Sequence, residues 1–298
     1  MKPKPEYARD RDMPDTFTTP LIVSDEKGRR FINRDKFGEN FFALRLDNYP
    51  LQVPPSSKVL SGFSVPEEAG HAGDFEVSAI VGMGTAPFLV NMNEVGIEAN
   101  AFSNNAIHHN LFAGAGGLPF VLAETAFFVA GRFVQVEITN LSNTMTAAVR
   151  LALLGRKFNA DMSPEQRELR TQYLAGRFTR PFWLTLDRGS QSLAPLQPNA
   201  EAYMTMPSGS HFVAETIMAE STGPFEFKLF DGHSGRELTY GFLDSRLLAG
   251  SAGLPARTLG SPLVQSRRSV RILMNDISGA PNHVFLTLHG RRMRMPVG

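Results

Sequence analysis

The sequence predicts an all-β protein in which two β-sandwich domains of jelly-roll-like type follow one another along the chain. Three observations support this prediction: a long internal repeat, apolar residues that alternate with period two, and polar turn residues between the apolar runs. A chain of 298 residues has room for about two domains of ordinary size. The predicted layout is an N-terminal arm over 1–38, a first sandwich over 39–158, a helical linker over 159–179 and a second sandwich over 180–298.

The internal repeat is clearest where the twelve residues from His108 to Pro119 are set above the twelve from Asp244 to Pro255, because six of these positions are identical. Shorter matches extend the repeat in both directions, from the Leu-x-Leu-Asp segments that end at Asp47 and Asp187 to the Gly-Arg-Lys and Gly-Arg-Arg segments near the two ends. A repeat of this length is a whole folding unit, so we predict a duplicated domain. The recurrence of an aspartate at two strand ends favours a turn-capping role for Asp47 and Asp187 over a catalytic one.

Alternating apolar residues recur at matched places in both copies, which predicts strands with one face on a core. The first copy offers Phe88, Val90, Met92, Val134, Val136, Ile138, Val149, Leu151 and Leu153, and the second offers Phe225, Phe227, Leu229, Val270, Ile272, Met274, Val284, Leu286 and Leu288. Turn formers such as Asp231–Gly235 separate the runs. Many short strands without a helical pattern between them indicate a β-sandwich.

One helix is predicted, and it lies in the linker. Ser163 provides an N-cap, Pro164 occupies the first helical position and Gly176 ends the helix. The proline-rich, charged arm has two open interpretations. It is either a partly ordered tail, or an extended arm that lies on another subunit or adds a strand to a neighbouring sheet through 16–23.

Composition and charge exclude several classes of protein. The net charge of +1 gives no general attraction for nucleic acid or for anionic membranes. The chain has no cysteine, which excludes disulfides and thiolate metal sites. The N-terminus is no signal peptide, and the longest apolar stretch, 120–134, is too short to cross a bilayer and contains Glu124 and Arg132. The sequence therefore predicts a protein that does not enter membranes.

A search for reactive groups finds no catalytic constellation. His108 and His109 are adjacent and would point to opposite faces of a strand, so we interpret them as solvent-facing or loop histidines rather than as metal ligands. His283 and His289 are too far apart along one strand to share an ion. The glycine-rich stretch at 114–117 lacks the context of a phosphate-binding loop. We therefore predict a non-enzymatic protein with no catalytic residues, no cofactor and no metal.

The repeated glycines and prolines are interpreted as turn positions, in which glycine permits a positive φ and proline resumes an extended course. These predicted turn positions are Gly114, Gly117, Pro119, Gly250, Gly253, Pro255, Gly155 and Gly290.

Basic residues gather in the arm and near the C-terminus, and we interpret them as candidate contacts with partner proteins. Aromatic residues are not interleaved with the arginines as they are in surfaces that stack bases, which disfavours nucleic acid as the partner. The candidates are Lys2, Lys4, Arg9, Arg11, Arg267, Arg268, Arg271, Arg291, Arg292 and Arg294.

Residues 275–291 form a polar turn, then an alternating strand that ends in Leu-His-Gly-Arg, and residues 181–187 form a second alternating strand. Both segments resemble β-sandwich structural proteins of tailed bacteriophage virions. The resemblance covers about residues 40–295 and brings no catalytic residues. It implies a virion component of the head, its surface, or the portal and tail region, present as a homo-oligomer that contacts copies of itself and other virion proteins. The implied location is the virion, assembled in the host cytoplasm.

The leading expectation is thus a structural protein, most specifically a decoration or minor capsid protein. The alternatives are a portal, tail or collar component, a receptor- or carbohydrate-binding module, and an enzyme with its site in the cleft between the two copies.

Overall fold

Twenty-one β-strands and two four-residue helices form the regular structure of the described chain, which in this computed structural model comprises residues 22–24, 30–32, 40–66, 74–94, 101–157, 179–258 and 262–294. The predicted linker helix, and Lys2, Lys4, Arg9 and Arg11 of the arm, lie outside these ranges. Strand β1 (Ile22–Ser24) pairs antiparallel with β2 (Arg30–Ile32).

The first half of the chain contains nine further strands and helix α1 (His109–Phe112). The strands are β3 (Asn40–Arg45), β4 (Leu51–Val53), β5 (Lys58–Ser64), β6 (Phe75–Gly84), β7 (Phe88–Glu94), β8 (Ile107–His108), β9 (Phe120–Phe128), β10 (Phe133–Asn140) and β11 (Ala147–Lys157).

The second half contains ten strands and helix α2 (Ser245–Leu248). The strands are β12 (Thr179–Thr185), β13 (Gln191–Leu193), β14 (Ala200–Thr205), β15 (Ser210–Ser221), β16 (Phe225–Asp231), β17 (Leu243–Asp244), β18 (Ala256–Arg257), β19 (Leu263–Val264), β20 (Ser269–Asp276) and β21 (Asn282–Arg294).

The strand orders of the two halves correspond sheet by sheet. One sheet of the first half runs β3–β11–β6–β9, with β4 also on β11, and the other runs β5–β10–β7–β8. In the second half the orders are β12–β21–β15–β18, with β13 on β21 and β19 on β15, and β14–β20–β16–β17. When the short strands β4 and β13 are set aside and β18 and β19 are counted as one strand, each half has eight strands, and both halves give the orders 1-8-3-6 and 2-7-4-5. Two interleaved antiparallel sheets of eight strands are the jelly-roll arrangement, so the all-β, jelly-roll-like prediction is confirmed.

The predicted period-two faces are buried. Strand β7 alternates buried and half-buried residues along its whole length, and β10, β11 and β20 do the same through most of theirs. Two apolar clusters result. The cluster of the second half draws only on that half, whereas the cluster of the first half also includes Trp183, Met218, Ala252 and Phe285. The first core therefore continues across the contact between the halves.

Gly155 and Gly290, predicted as turn positions, lie inside the long strands β11 and β21, so that prediction is wrong. Each glycine faces an irregularity in the pairing with β6 or β15, where the register shifts by one residue. A Cβ on Gly155 would overlap the carbonyl oxygen of Glu76, and one on Gly290 would overlap that of Val213. Close approach of two backbones at a β-bulge, rather than a turn, explains the glycines.

Gly114 and Gly250 do lie in loops, but their φ angles are not positive, which contradicts the reason given for them. A Cβ at either position would overlap the backbone of the following Leu-Pro segment, at the carbonyl of Leu118 or Leu254. Gly117 and Gly253 also have no positive φ, and Pro119 and Pro255 follow them into β9 and β18. The repeated motif is thus a loop that folds back on itself.

Candidate functional site: the interface between the two halves

The two halves join where residues 101–105 run beside the edge strand β12. Ser103 and Trp183 form a parallel bridge, and the Trp183 amide donates to the Phe102 carbonyl at 2.8 Å. The side chain of Asn104 forms two hydrogen bonds with the backbone of Thr185. Its Nδ2 donates to the Thr185 carbonyl and its Oδ1 accepts from the Thr185 amide, each at 2.8 Å. The segment therefore covers backbone groups that an edge strand would otherwise leave free.

Trp183 is the centre of an aromatic cluster at this interface. It is fully buried, with ring centroids 5.2 Å from Phe112, 5.7 Å from Phe120 and 4.7 Å from His289. Phe112 and Phe120 come from the first half, while Trp183 and His289 come from β12 and β21 of the second. Rings of this size dominate the energy of a packed contact.

His108 belongs to the same contact, so the prediction that it faces solvent or lies in a loop is wrong, whereas His109 is half-buried and packs within the first half. His108 is only 5% exposed and lies 4.6 Å, centroid to centroid, from Phe285 of the second half. His109 stacks on Phe88 at 4.5 Å, and its Nδ1 accepts a hydrogen bond from the Phe88 amide at 3.4 Å. The sequence pattern around His108 does not indicate its burial because the contact joins two distant parts of the chain.

The buried histidines are held neutral by their surroundings. Burial lowers the pKa of His108 from 6.5 to about 3, with smaller contributions from His109 and His283. Burial alone lowers the pKa of His289 to about 3. Nδ1 of His108 and Nε2 of His289 are buried and have no hydrogen-bond partner among the described residues. The cause of both shifts is removal from water among aromatic rings, not a carboxylate placed for proton transfer.

Polar contacts surround the aromatic cluster. Arg180 forms an ion pair with Glu94 at 3.2 Å, and the Thr179 hydroxyl donates to Glu124 at 2.8 Å. The Ala252 amide donates to the carbonyl of Asn110 at 2.8 Å. In the described part of the chain, no group of three or more histidine, aspartate or glutamate side chains is arranged to hold a metal ion.

The C-terminal arginines do not form one basic surface. Arg271 lies on β20 and pairs with Glu201, whereas Arg291 lies on β21, in the other sheet, and pairs with Glu215 at 2.6 Å. Arg292 donates to Ser210 at 2.9 Å and stacks over Phe182. Arg267 and Arg268 belong to the turn before β20, and of Arg294 only the backbone is described.

The two aspartates predicted to cap turns instead bond to strand residues 17 and 18 positions further along the chain. Asp47 accepts from the Ser64 hydroxyl at 2.8 Å, and Asp187 accepts from the Thr205 amide at 2.7 Å and from its hydroxyl at 2.6 Å. The 231–235 segment is a turn, in which Asp231 accepts from His233 and Ser234.

Several interface residues differ from the residues at the matched positions of the other copy. At matched register positions Trp183 corresponds to Ala43 and His289 to Leu154, and in the aligned motif His108 corresponds to Asp244. Positions at which two otherwise similar copies differ in size or polarity are the positions at which their surroundings differ. A comparison of copies for differences, rather than for identities, would have found this contact.

The fold and this contact define a protein of two jelly rolls packed edge to edge. Among the described residues, no helix is long and apolar enough to cross a membrane. No protein-family model matches the chain, and no curated protein matches it.

Solved structures do resemble the chain. The major capsid protein of STIV, the Sulfolobus turreted icosahedral virus, shares 9% identity at a TM-score of 0.38, over 86% of this chain and 97% of that one. A structure described as the triple jelly roll fold and turret assembly in an archaeal virus shares 12% identity at a TM-score of 0.24, over 89% and 62%. A tomato vicilin shares 11% identity at a TM-score of 0.18, over 84% and 76%. At these scores the matches carry no inference about function.

Proposed function

We propose that this chain is a non-enzymatic structural subunit of a virus particle, arisen by tandem duplication of one jelly roll, whose copies assemble through contacts similar to the one between its own halves. One observation carries the proposal: the internal contact joins two surfaces, and each has an unused counterpart in the other half. Jelly rolls recur in viral capsids, in lectins and in cupins, so the fold permits this role without specifying it.

We call residues 101–105, which contact β12, the docking edge of the first half, and the corresponding segment of the second half is exposed. Bridges pair Ala101 with Asn93 and Glu237 with Phe230, so 237–241 corresponds to the docking segment 101–105. Tyr240, at the position of Asn104, is 98% exposed. Leu247 is 83% exposed, while its counterpart Leu111 is fully buried in the internal contact. An apolar edge in the open is typical of a surface that another chain covers.

We call β12, which residues 101–105 contact, the accepting edge of the second half, and the corresponding strand of the first half, β3, is exposed. Strand β3 ends its sheet as β12 ends the corresponding one, and in the described residues it pairs with β11 on one side only. Ala43 and Arg45, at the positions of Trp183 and Thr185, are exposed. Edge strands of this kind are ready to pair with another chain.

Because the two free surfaces differ, the contact between subunits is head to tail. Such a contact forms a closed ring when the rotation closes and an extended array when it does not. Both results suit a shell, and neither needs a reactive site. The finer placement that we propose is a decoration or minor capsid protein of a tailed bacteriophage, assembled in the host cytoplasm, with a portal, tail or collar position as the alternative.

The test is the oligomeric state of the full chain, measured by sedimentation and native mass spectrometry over a range of concentrations. We expect the wild-type protein to form defined oligomers and Leu247→Asp to be monomeric with unchanged circular dichroism. Leu196→Asp, a change at another largely exposed leucine, which lies in a turn away from the docking edge, is the control and should assemble normally. A wild-type protein that stays monomeric would refute the proposal.

A receptor- or carbohydrate-binding module is the second candidate, since Tyr240 places an exposed aromatic ring on a loop. A glycan array tests this candidate, because a lectin-like module binds a defined class of glycan and Tyr240→Ala should abolish that binding.

A further inference from the structure

The second jelly roll contains a cavity of about 740 Å³ between its two sheets, next to β17, β18 and β19. Its walls are mainly aliphatic and come from both sheets, with Ile217 and Leu288 on one side and Leu229 and Val270 on the other. Cavities of this size and lining are typical of sites for small ligands.

The cavity exists because the second half lacks side chains that fill the same space in the first. Phe120 pairs with Ile80 as Ala256 pairs with Ile217, and Phe128 pairs with Phe75 as Val264 pairs with Phe212. The same alignment sets Leu122 against Thr258. Phe120, Leu122 and Phe128 are buried in the first core.

The strand itself is also interrupted. The first half has one continuous strand, β9, where the second has the two short strands β18 and β19. Packed interiors normally leave few voids larger than a water molecule, so the loss of large side chains at the two aligned positions that line the cavity, Thr258 and Val264, opens space in the second core.

Positive charge stands at the cavity. Arg236, Arg257 and Arg268 line it, and in the described part of the chain neither Arg236 nor Arg257 forms an ion pair or a side-chain hydrogen bond. The one lining carboxylate, Asp231, already accepts from the Ser234 hydroxyl at 2.6 Å and from the His233 amide at 3.0 Å within its own turn. Guanidinium groups bind carboxylates through paired, charge-assisted hydrogen bonds.

We propose that this cavity binds an amphipathic carboxylate, with the aliphatic chain between the sheets and the carboxylate on Arg257 and Arg236. The lining also includes the polar side chains of Ser234, Thr239, Thr258, Gln265 and Ser269, but its larger part is apolar, which suits a hydrocarbon chain better than a sugar. The site goes beyond the proposed assembly role, and every residue named lies in one half of one chain, although Leu238 and Thr239 of its wall also belong to the proposed docking segment 237–241.

The experiment is calorimetric titration of the full chain with dodecanoate below its micelle concentration, with dodecanol as the uncharged probe of equal length. We expect dodecanoate to bind once per chain. Val264→Phe, which restores the residue of the first half, should abolish binding while the midpoint of thermal unfolding stays equal or rises. Thr258→Leu provides a second, smaller filling of the same space.

The charge is tested separately. Arg257→Gln should weaken dodecanoate by about tenfold and leave dodecanol unchanged. Arg188→Gln, at an exposed arginine in the turn after β12, is the matched control and should leave both probes unchanged.

The inference is overturned if dodecanoate does not bind, if it binds Val264→Phe as well as the wild type, or if Arg257→Gln has no effect. Binding by the monomeric Leu247→Asp protein supports the inference whatever becomes of the assembly proposal, so the two can fail independently.

Discussion

At the scale of single residues, the two buried histidines are the groups whose behaviour sequence patterns describe least well. A histidine pair in a polar-looking segment is ordinarily solvent-facing, and His108 and His289 are buried only because a second domain covers them. The alternating core residues such as Phe88 and Val270 could be predicted because their surroundings are set by their own strand. Burial by a distant part of the chain does not produce a periodic pattern of apolar residues in the local sequence.

The lowered histidine pKa values predict how stability depends on pH. Unfolding raises the pKa of each side chain from about 3 to its usual 6.5, so the unfolded state takes up protons first as the pH falls. Stability is therefore full above about pH 6.5 and decreases towards pH 3, by roughly 1.4 kcal/mol for each pH unit and each histidine at most.

Urea unfolding at a series of pH values measures this dependence. His289→Leu, which introduces the residue found at the matched position 154, should flatten the profile, whereas His233→Gln in an exposed turn should not. An unchanged slope in His289→Leu would contradict the assignment.

At the scale of elements, strands and turns follow from the sequence much better than interruptions of strands. The alternation in β7, β10, β11 and β20 is visible to the eye because each strand has one face in a core. The division of one edge strand into β18 and β19, and the bulges at Gly155 and Gly290, are not visible, since a glycine in a strand and a glycine in a turn look alike. The pairing register with the neighbouring strand decides whether such a glycine lies in a bulge or in a turn.

The bulge in the second half predicts a large effect from a small substitution. Gly290→Ala would place a Cβ against the backbone carbonyl of Val213, which cannot move without breaking the pairing of β15 with β21. We expect a loss of about 2–4 kcal/mol in the free energy of unfolding, measured by urea denaturation. Gly116→Ala, where a Cβ would meet nothing within 4 Å, is the control and should change stability by about 0.5 kcal/mol or less. Equal stability of the two variants would show that the backbone relaxes there.

At the scale of the whole molecule, the jelly-roll class and the presence of two similar halves could be predicted, whereas their mutual arrangement could not. The repeat gives the unit, but the contact depends on the few positions at which the halves differ, of which Trp183 against Ala43 is the largest. The candidate arginines were predicted as one group, and the structure divides them between two sheets because β20 and β21 belong to different layers.

Trp183 predicts how strongly the halves are coupled. Trp183→Ala restores the small residue of the first half and removes a fully buried ring that touches Phe112, Phe120 and His289. We expect a loss of about 3–5 kcal/mol, and calorimetry should resolve one unfolding transition into two as the halves separate. Leu196→Ala, at a largely exposed leucine outside the proposed contact between subunits, should keep the single transition. A loss below about 1 kcal/mol in Trp183→Ala would show that the ring contributes little to the coupling.

The position of the last strand in each half has a consequence for synthesis on the ribosome. Strand β11 lies between β3 and β6, and β21 lies between β12 and β15, so neither half can complete its central sheet before its final strand has emerged. The first half can close once residue 157 leaves the exit tunnel, but the second must wait for residue 294. During that interval the finished half displays Phe112 and Phe120 with nothing to cover them, and a nascent chain in this state is the one that a chaperone would meet.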